Sequence, residues 1–266
     1  MQLLLPPSET KRSGGGGVFA PETLANHSVL AAARARVRAS LVELSSDADA
    51  AAQALKLGAK SRGEIAHNLA LERSGTLPAI ERYTGVLYDA VDVPSLPTEA
   101  RAWIDAHVIV QSALFGQVAA ADRIPAYRLS AGSRLPQLNT PLKRVWREAH
   151  AEIDWTRRGW ALDLRSKDYV ELAPLPAGAG VFLHVAQRSA AGRVRALNHF
   201  NKAAKGDLVR RLALSGSEIT CTKDFLAWAD GAGLEILPGP GDAELTLVTA
   251  LGAPGSAPRP AAAAAR

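Results

Sequence analysis

His107-Val108-Ile109-Val110-Gln111-Ser112-Ala113-Leu114-Phe115-Gly116 is the stretch on which the fold turns. The apolar run from Val108 to Val110 reads as a buried strand, and it delivers a turn of small residues, the kind found where a strand end meets a site. Working outward, a helix is predicted over 97–106, another over 142–151 carrying Trp146, and a strand over 160–164 whose carboxyl end leads into Ser166-Lys167-Asp168-Tyr169. Towards the amino terminus, 21–71 carries apolar residues at helical spacing and accommodates two or three helices, with a further helical stretch after Pro78. Gln2–Leu5 is a short strand stopped by Pro6-Pro7. The Gly14–Gly17 run lacks the spaced Gly-Lys-Ser/Thr of a phosphate loop and is expected to be a flexible connector.

Beyond Tyr169, 180–186 and 193–197 suggest a hairpin around Ala191-Gly192, followed by a helix over 200–214 and strands over 234–237 and 245–249. No repeat or linker divides residues 1–250. The expectation is therefore an α+β fold: one mixed domain over 1–250, a central sheet surrounded by helices. Residues 251–266 are rich in Pro and Ala and are expected to be a disordered tail.

Composition narrows the function classes. No apolar run approaches the roughly 20 residues of a membrane-spanning helix, so a cytoplasmic protein without a membrane partner is expected. Cys221 is the single cysteine, which excludes an internal disulfide and a cysteine-clustered zinc site. It is expected to be a small core residue, with a peroxide-sensing thiol as the other reading. The six histidines show no paired ligand spacing, and no Gly-x-Ser-x-Gly or His-Glu-x-x-His string occurs, so neither a metal nor another cofactor is expected.

The net charge of +5 is small for 266 residues, but it is concentrated. Seven cations (Arg188, Arg193, Arg195, Lys202, Lys205, Arg210 and Arg211) face one acid, Asp207, between positions 188 and 211. Asn198, Lys202, Lys205 and Val209 recur at helical steps, which puts a cationic face beside the strand carrying Arg193 and Arg195. Such a face grips phosphates without regard to sequence. Tyr127-Arg128 offers a stacking ring beside a bidentate donor, or equally an interior hydrogen-bonded pair. Gly58 to Gly63, with Lys60 and Arg62, fits a helix-hairpin-helix that holds a phosphate, or an ordinary glycine-stopped helix followed by another. Ser166, Asp168 and Tyr169 are candidate catalytic groups after a strand, and equally fit the cap of the next helix.

The opening Leu3-Leu4-Leu5-Pro6-Pro7-Ser8-Glu9-Thr10-Lys11, the Ser112–Gly116 turn, Tyr127-Arg128-Leu129, Trp146, Ser166–Tyr169 and Asn201–Gly206 occur in the order seen in the YaaA peroxide stress protein family, and over 1–240 the chain resembles that family. The resemblance implies a single α+β domain with a positively charged cleft, a helix-hairpin-helix element, DNA binding linked to repair, and protection against peroxide, including the limiting of free iron. Its motifs fall on Tyr127, Arg128 and Leu129, on Ser166, Asp168 and Tyr169, and on Lys202, Lys205 and Gly206. Four positions depart from the family pattern: Ser130 replaces an acid, Ala119-Ala120 an Arg-Pro, Ala203 a basic residue and Glu9 a lysine. The resulting expectation is a protein of the peroxide stress response that binds double-stranded or structured DNA in a basic cleft. The alternative is an enzyme acting on a small nucleotide-like or phosphorylated substrate in the same cleft.

Overall fold

The first strand, β1 (Gln2–Leu5), runs through the middle of the sheet, and Leu3, Leu4 and Leu5 are at most 1 % exposed because both faces are covered. The computed structural model describes residues 1–188, 194–196 and 201–250. After β1 come α1 (His27–Ser45), α2 (Ala48–Ala54), α3 (Ile65–Leu69), β2 (Leu77–Pro78), α4 (Ala79–Arg82), α5 (Val86–Val91) and α6 (Thr98–His107). The middle of the chain holds β3 (Val108–Ser112), β4 (Gly116–Ala119), β5 (Arg123–Ile124), α7 (Leu142–Ala151), β6 (Ala161–Asp163) and α8 (Lys167–Val170). The last part is β7 (Gly180–Arg188), β8 (Val194–Ala196), α9 (Asn201–Ser215), α10 (Thr222–Gly231), β9 (Glu235–Pro238) and β10 (Glu244–Val248).

The main sheet has the order β4-β3-β1-β6-β7-β10-β9, with β8 paired to β7. β3, β1, β6, β7 and β10 are mutually parallel, while the edges β4 and β9 are antiparallel. The expected single domain with a central sheet among helices is what the chain forms. All five residues of β3 are buried, as its unbroken apolar run requires. From β1 the chain passes to β3 on one side, and from β3 it crosses to β6 on the other, so the strand order reverses between β1 and β6. In parallel sheets the crevice beyond the carboxyl ends at such a reversal is where ligands bind.

Two sequence expectations are corrected here, and a third is not shown. Cys221 is exposed at the start of α10 rather than in the core. The Gly14–Gly17 segment is not a free connector: Arg82, wholly buried, donates to Gly14 O and Gly75 O at 2.9 Å, and Arg123 donates to Gly16 O at 3.0 Å. Those contacts turn its carbonyls, not its N–H groups, toward charge, the opposite of a phosphate cradle. Where the sequence suggested a helix-hairpin-helix, a 3-10 turn over Ala59–Glu64 runs directly into the five-residue α3, and Arg62 pairs with Asp49 of α2. Residues 251–266 lie outside the described residues, as does the expected turn at Ala191-Gly192.

Gly206 sets how closely α9 packs on α5. A Cβ at this position would stand 2.1 Å from Leu87 O and 2.7 Å from Ala90 Cβ. Because both neighbours belong to a packed helix, Gly206→Ala is expected to cost about 1–3 kcal/mol by overpacking, read as a lower urea midpoint with an unchanged slope.

Candidate functional site at the carboxyl edge of the sheet

Beyond the carboxyl ends of β1 and β3 lies a floor of phenols. The chain has four tyrosines, and Tyr83, Tyr88, Tyr127 and Tyr169 are all buried there, at 2, 7, 2 and 7 % exposure. Ser112, the last residue of β3, accepts from the N–H groups of Leu114 at 3.1 Å and Phe115 at 3.0 Å, which occupies both its lone pairs. Its proton is therefore given to the Tyr127 hydroxyl, 2.7 Å away, and Tyr127 gives its own to Tyr83 at 2.8 Å. A short hydroxyl relay results, ending at Tyr83. Tyr88 donates to Pro6 O at 2.8 Å and so pins the exit from β1. Burial pushes the Tyr83 phenol up to about 12, and those of Tyr88, Tyr127 and Tyr169 well above their ordinary value, so all four stay protonated at neutral pH.

Above this floor sits Lys11. Its ammonium is 4.1 Å from the Tyr127 ring centre and 5.5 Å from that of Tyr83, and it donates to Ser8 O at 3.0 Å and Glu9 O at 3.2 Å. Burial, opposed by Glu9 and reinforced by Arg128, draws this lysine down to about 7. That places it near neutrality, well below an ordinary lysine. Arg128 closes the rim: it reaches Glu64 at 3.2 Å, the Glu9 carboxylate at 3.4 Å and Glu9 O at 3.2 Å, joining the loop after β1 to the 3-10 turn before α3. Glu9 thus holds Arg128 in place. On the β6 side, Ser166, just before α8, and Asp168 on it are exposed, whereas Tyr169 turns inward and hydrogen-bonds the main chain of Ala131.

Several of the cations expected to line a groove are committed to other partners among the described residues. Tyr127 is too buried to stack on a base. Lys205 is 6 % exposed and donates to Leu164 O at 2.9 Å and Arg165 O at 3.3 Å, tying α9 to the loop after β6; burial draws it down to about 8. Arg210 donates to Val91 O at 2.9 Å and Asp92 O at 3.1 Å, and Arg211 pairs with Asp207 at 2.7 Å. Lys60 and Lys202 are exposed, but on separate elements. Arg193 lies outside the described residues; Arg195 is described only as backbone in β8, paired with Gln187. The reason is electrostatic. A cation within reach of main-chain carbonyls near the core is stabilised there, and sequence position does not reveal which carbonyls lie close.

Lys11, Tyr83 and Glu64 escaped the sequence analysis. The available signal was position: Lys11 follows the first strand, and strand ends at a reversal gather sites. Among the described residues no cluster of three His, Cys, Asp or Glu side chains is placed to hold a metal, and no helix is long and apolar enough to cross a membrane.

Lys11 and Lys205 give a pH signature. Each holds its proton less tightly folded than unfolded, so from about pH 7 to 10 the unfolded chain binds more protons and stability rises with pH. Above about pH 10 the buried tyrosines, which hold protons more tightly when folded, reverse the slope. Urea midpoints measured from pH 7 to 10 are expected to climb in the wild type and to climb less in Lys11→Met.

A family model described as peroxide stress protein YaaA matches residues 1–235. A UPF0246 protein of Corynebacterium glutamicum is 38 % identical over 252 residues, covering 93 % of this chain and 100 % of the relative. A UPF0246 protein of Streptomyces coelicolor is 42 % identical over 228 residues, covering 82 % of this chain and 84 % of its own. One from Corynebacterium efficiens is 39 % identical over 258 residues, covering 93 % of this chain and 100 % of its own.

Proposed function

This chain belongs to the peroxide stress protein YaaA family, and we propose that it serves in the cytoplasm as an enzyme on a small anionic substrate, nucleotide-like or phosphorylated, held at the carboxyl edge of the sheet. One observation carries this: a lysine poised near neutrality stands on the tyrosine floor at the point where strand order reverses, with a hydroxyl relay beneath it. Lys11 Nζ is the group that takes up or gives a proton. Arg128 receives the anionic end of the substrate, with Glu9 and Glu64 as the partners it gives up. Tyr83, at the end of the relay, supplies a hydroxyl that stays protonated and donates. Ser166 and Asp168, exposed at the start of α8, are given no step in this scheme. Tyr169, held protonated, is not a base in this scheme.

Binding of duplex or structured DNA is the competing proposal, and the exposure of Lys60 and Lys202 favours it. A thermal-shift screen of nucleotides and sugar phosphates separates the two. For the enzyme, at least one compound is expected to raise the melting temperature of the wild type, to lose that effect in Arg128→Ala, and to keep it in Lys11→Met, because Lys11 acts in chemistry more than in binding. No response from any compound sinks the enzyme. Salt-sensitive retention of duplex DNA that is lost in Lys60→Ala/Lys202→Ala establishes the DNA reading instead.

A further inference from the structure

Two lysines of this fold share a bonding pattern and differ in access. Lys205 donates to Leu164 O at 2.9 Å and Arg165 O at 3.3 Å and is 6 % exposed, so its amine is closed to any reactant. Lys11 likewise donates to two main-chain oxygens, Ser8 O at 3.0 Å and Glu9 O at 3.2 Å, but its side chain is partly open. Lys11 makes no ion pair among the described residues, and the Glu9 carboxylate is turned to Arg128 at 3.4 Å.

Two acceptors are what a neutral primary amine requires. An ammonium has three N–H donors, whereas the free amine has two and a lone pair. Ser8 O and Glu9 O therefore satisfy the neutral form in full, and the third donor of an ammonium finds no oxygen among the described residues. The charges around it nearly cancel: Glu9 and Glu64 favour the ammonium, Arg128 and Arg82 oppose it, and burial decides the outcome at about 7. At neutral pH an ordinary exposed lysine is free amine in roughly one part in a thousand, so Lys11 stands apart as a nucleophile.

The neighbours of the amine define what it can attack. Glu9 O accepts from Arg128 Nη1 at 3.2 Å as well as from Lys11 Nζ at 3.2 Å, so amine and guanidinium hang on one carbonyl oxygen. That closeness fits a short molecule with an electrophilic carbon at one end and an anionic group at the other. The rings of Tyr127, 4.1 Å from Nζ, and Tyr83, at 5.5 Å, supply the apolar wall against which a lysine turns nucleophilic toward a carbonyl.

We infer that Lys11 Nζ forms an imine with a short phosphorylated aldehyde or ketone whose phosphate is held by Arg128. The lone pair of Nζ bonds to the carbonyl carbon and the C=O bond opens. Both N–H hydrogens of the amine pass to the oxygen, which leaves as water, so the step needs no oxidant or reductant. An imine draws electrons from the carbon next to it, and the reaction class it serves is the making or breaking of bonds at that carbon. The imine rests on the small-anion reading of the carboxyl edge and gives Lys11 a covalent role beyond proton transfer.

The test is reductive trapping on the full wild-type chain at neutral pH, with glyceraldehyde 3-phosphate and cyanoborohydride, read by peptide mass spectrometry. Hydride from the reagent turns an imine into a stable secondary amine and so marks the lysine that reacted. Lys11 is expected to carry at least about tenfold more adduct than the exposed Lys60 and Lys202 or the buried Lys205. Glycerol 3-phosphate, the same anion without the carbonyl, is expected to protect Lys11, and the preference for glyceraldehyde 3-phosphate over glyceraldehyde to disappear in Arg128→Ala. Labelling at Lys11 no greater than at Lys60 and Lys202 overturns the imine, and so does labelling that glycerol 3-phosphate leaves undiminished. A rise in melting temperature with glycerol 3-phosphate alongside an unlabelled Lys11 overturns the imine alone and leaves the small-anion site standing.

Discussion

Cations bonded to main-chain carbonyls hold this structure together. Arg34, on α1, gives its guanidinium to Phe115 O and Gln117 O, both at 2.7 Å, and to Ala25 O at 2.5 Å, so the first long helix is tied to the turn after β3. Arg82 does the same for the glycine-rich loop, Lys205 for the loop after β6, and Arg210 for the end of α5. Arg165 adds a buried ion pair to Asp163 at 2.6 Å and a bond to Ala173 O at 2.9 Å. Placing charge in the interior is costly unless every donor finds an acceptor. Loops at the carboxyl ends of parallel strands offer unpaired carbonyls in quantity, and these side chains meet that need.

The same constraint shapes the site. With Arg82 and Arg210 committed to carbonyls, the positive groups left at the carboxyl edge are few and specific. Lys11 is bonded to two carbonyls yet lies against tyrosine rings, which stabilise a cation less than water does, so its proton is held loosely. Arg128 is held by two carboxylates that a stronger anion can replace. The carboxyl edge thus brings together one buried lysine, one guanidinium paired with two carboxylates and a row of protonated phenols.

Much of the architecture was legible along the chain, since it rests on local periodicity. The buried run at Val108–Val110, the helix carrying Trp146, the pairing of β7 with β8 and the two closing strands all follow from apolar spacing and turn residues. Spacing along the chain does not say which residue ends at a carbonyl. Lys202 and Lys205 are one helical turn apart and were read as one cationic face, yet Lys202 is exposed and Lys205 is buried. Tyr127 and Arg128 are neighbours, and adjacent side chains on an extended segment point to opposite sides: the tyrosine joined the core and the arginine the rim.

The sequence by itself therefore determined the family, the mixed layout of strands and helices, and the short apolar strands that must lie at the centre, because these depend on residue type and on contacts close in the chain. Only the tertiary structure decided that the four tyrosines share one floor with Lys11, that most of the described cations between 188 and 211 face carbonyls or acids, and that Gln117 keeps an unmet donor. Those outcomes depend on which strand ends and loops meet when the strand order reverses between β1 and β6, a long-range arrangement that no local pattern encodes.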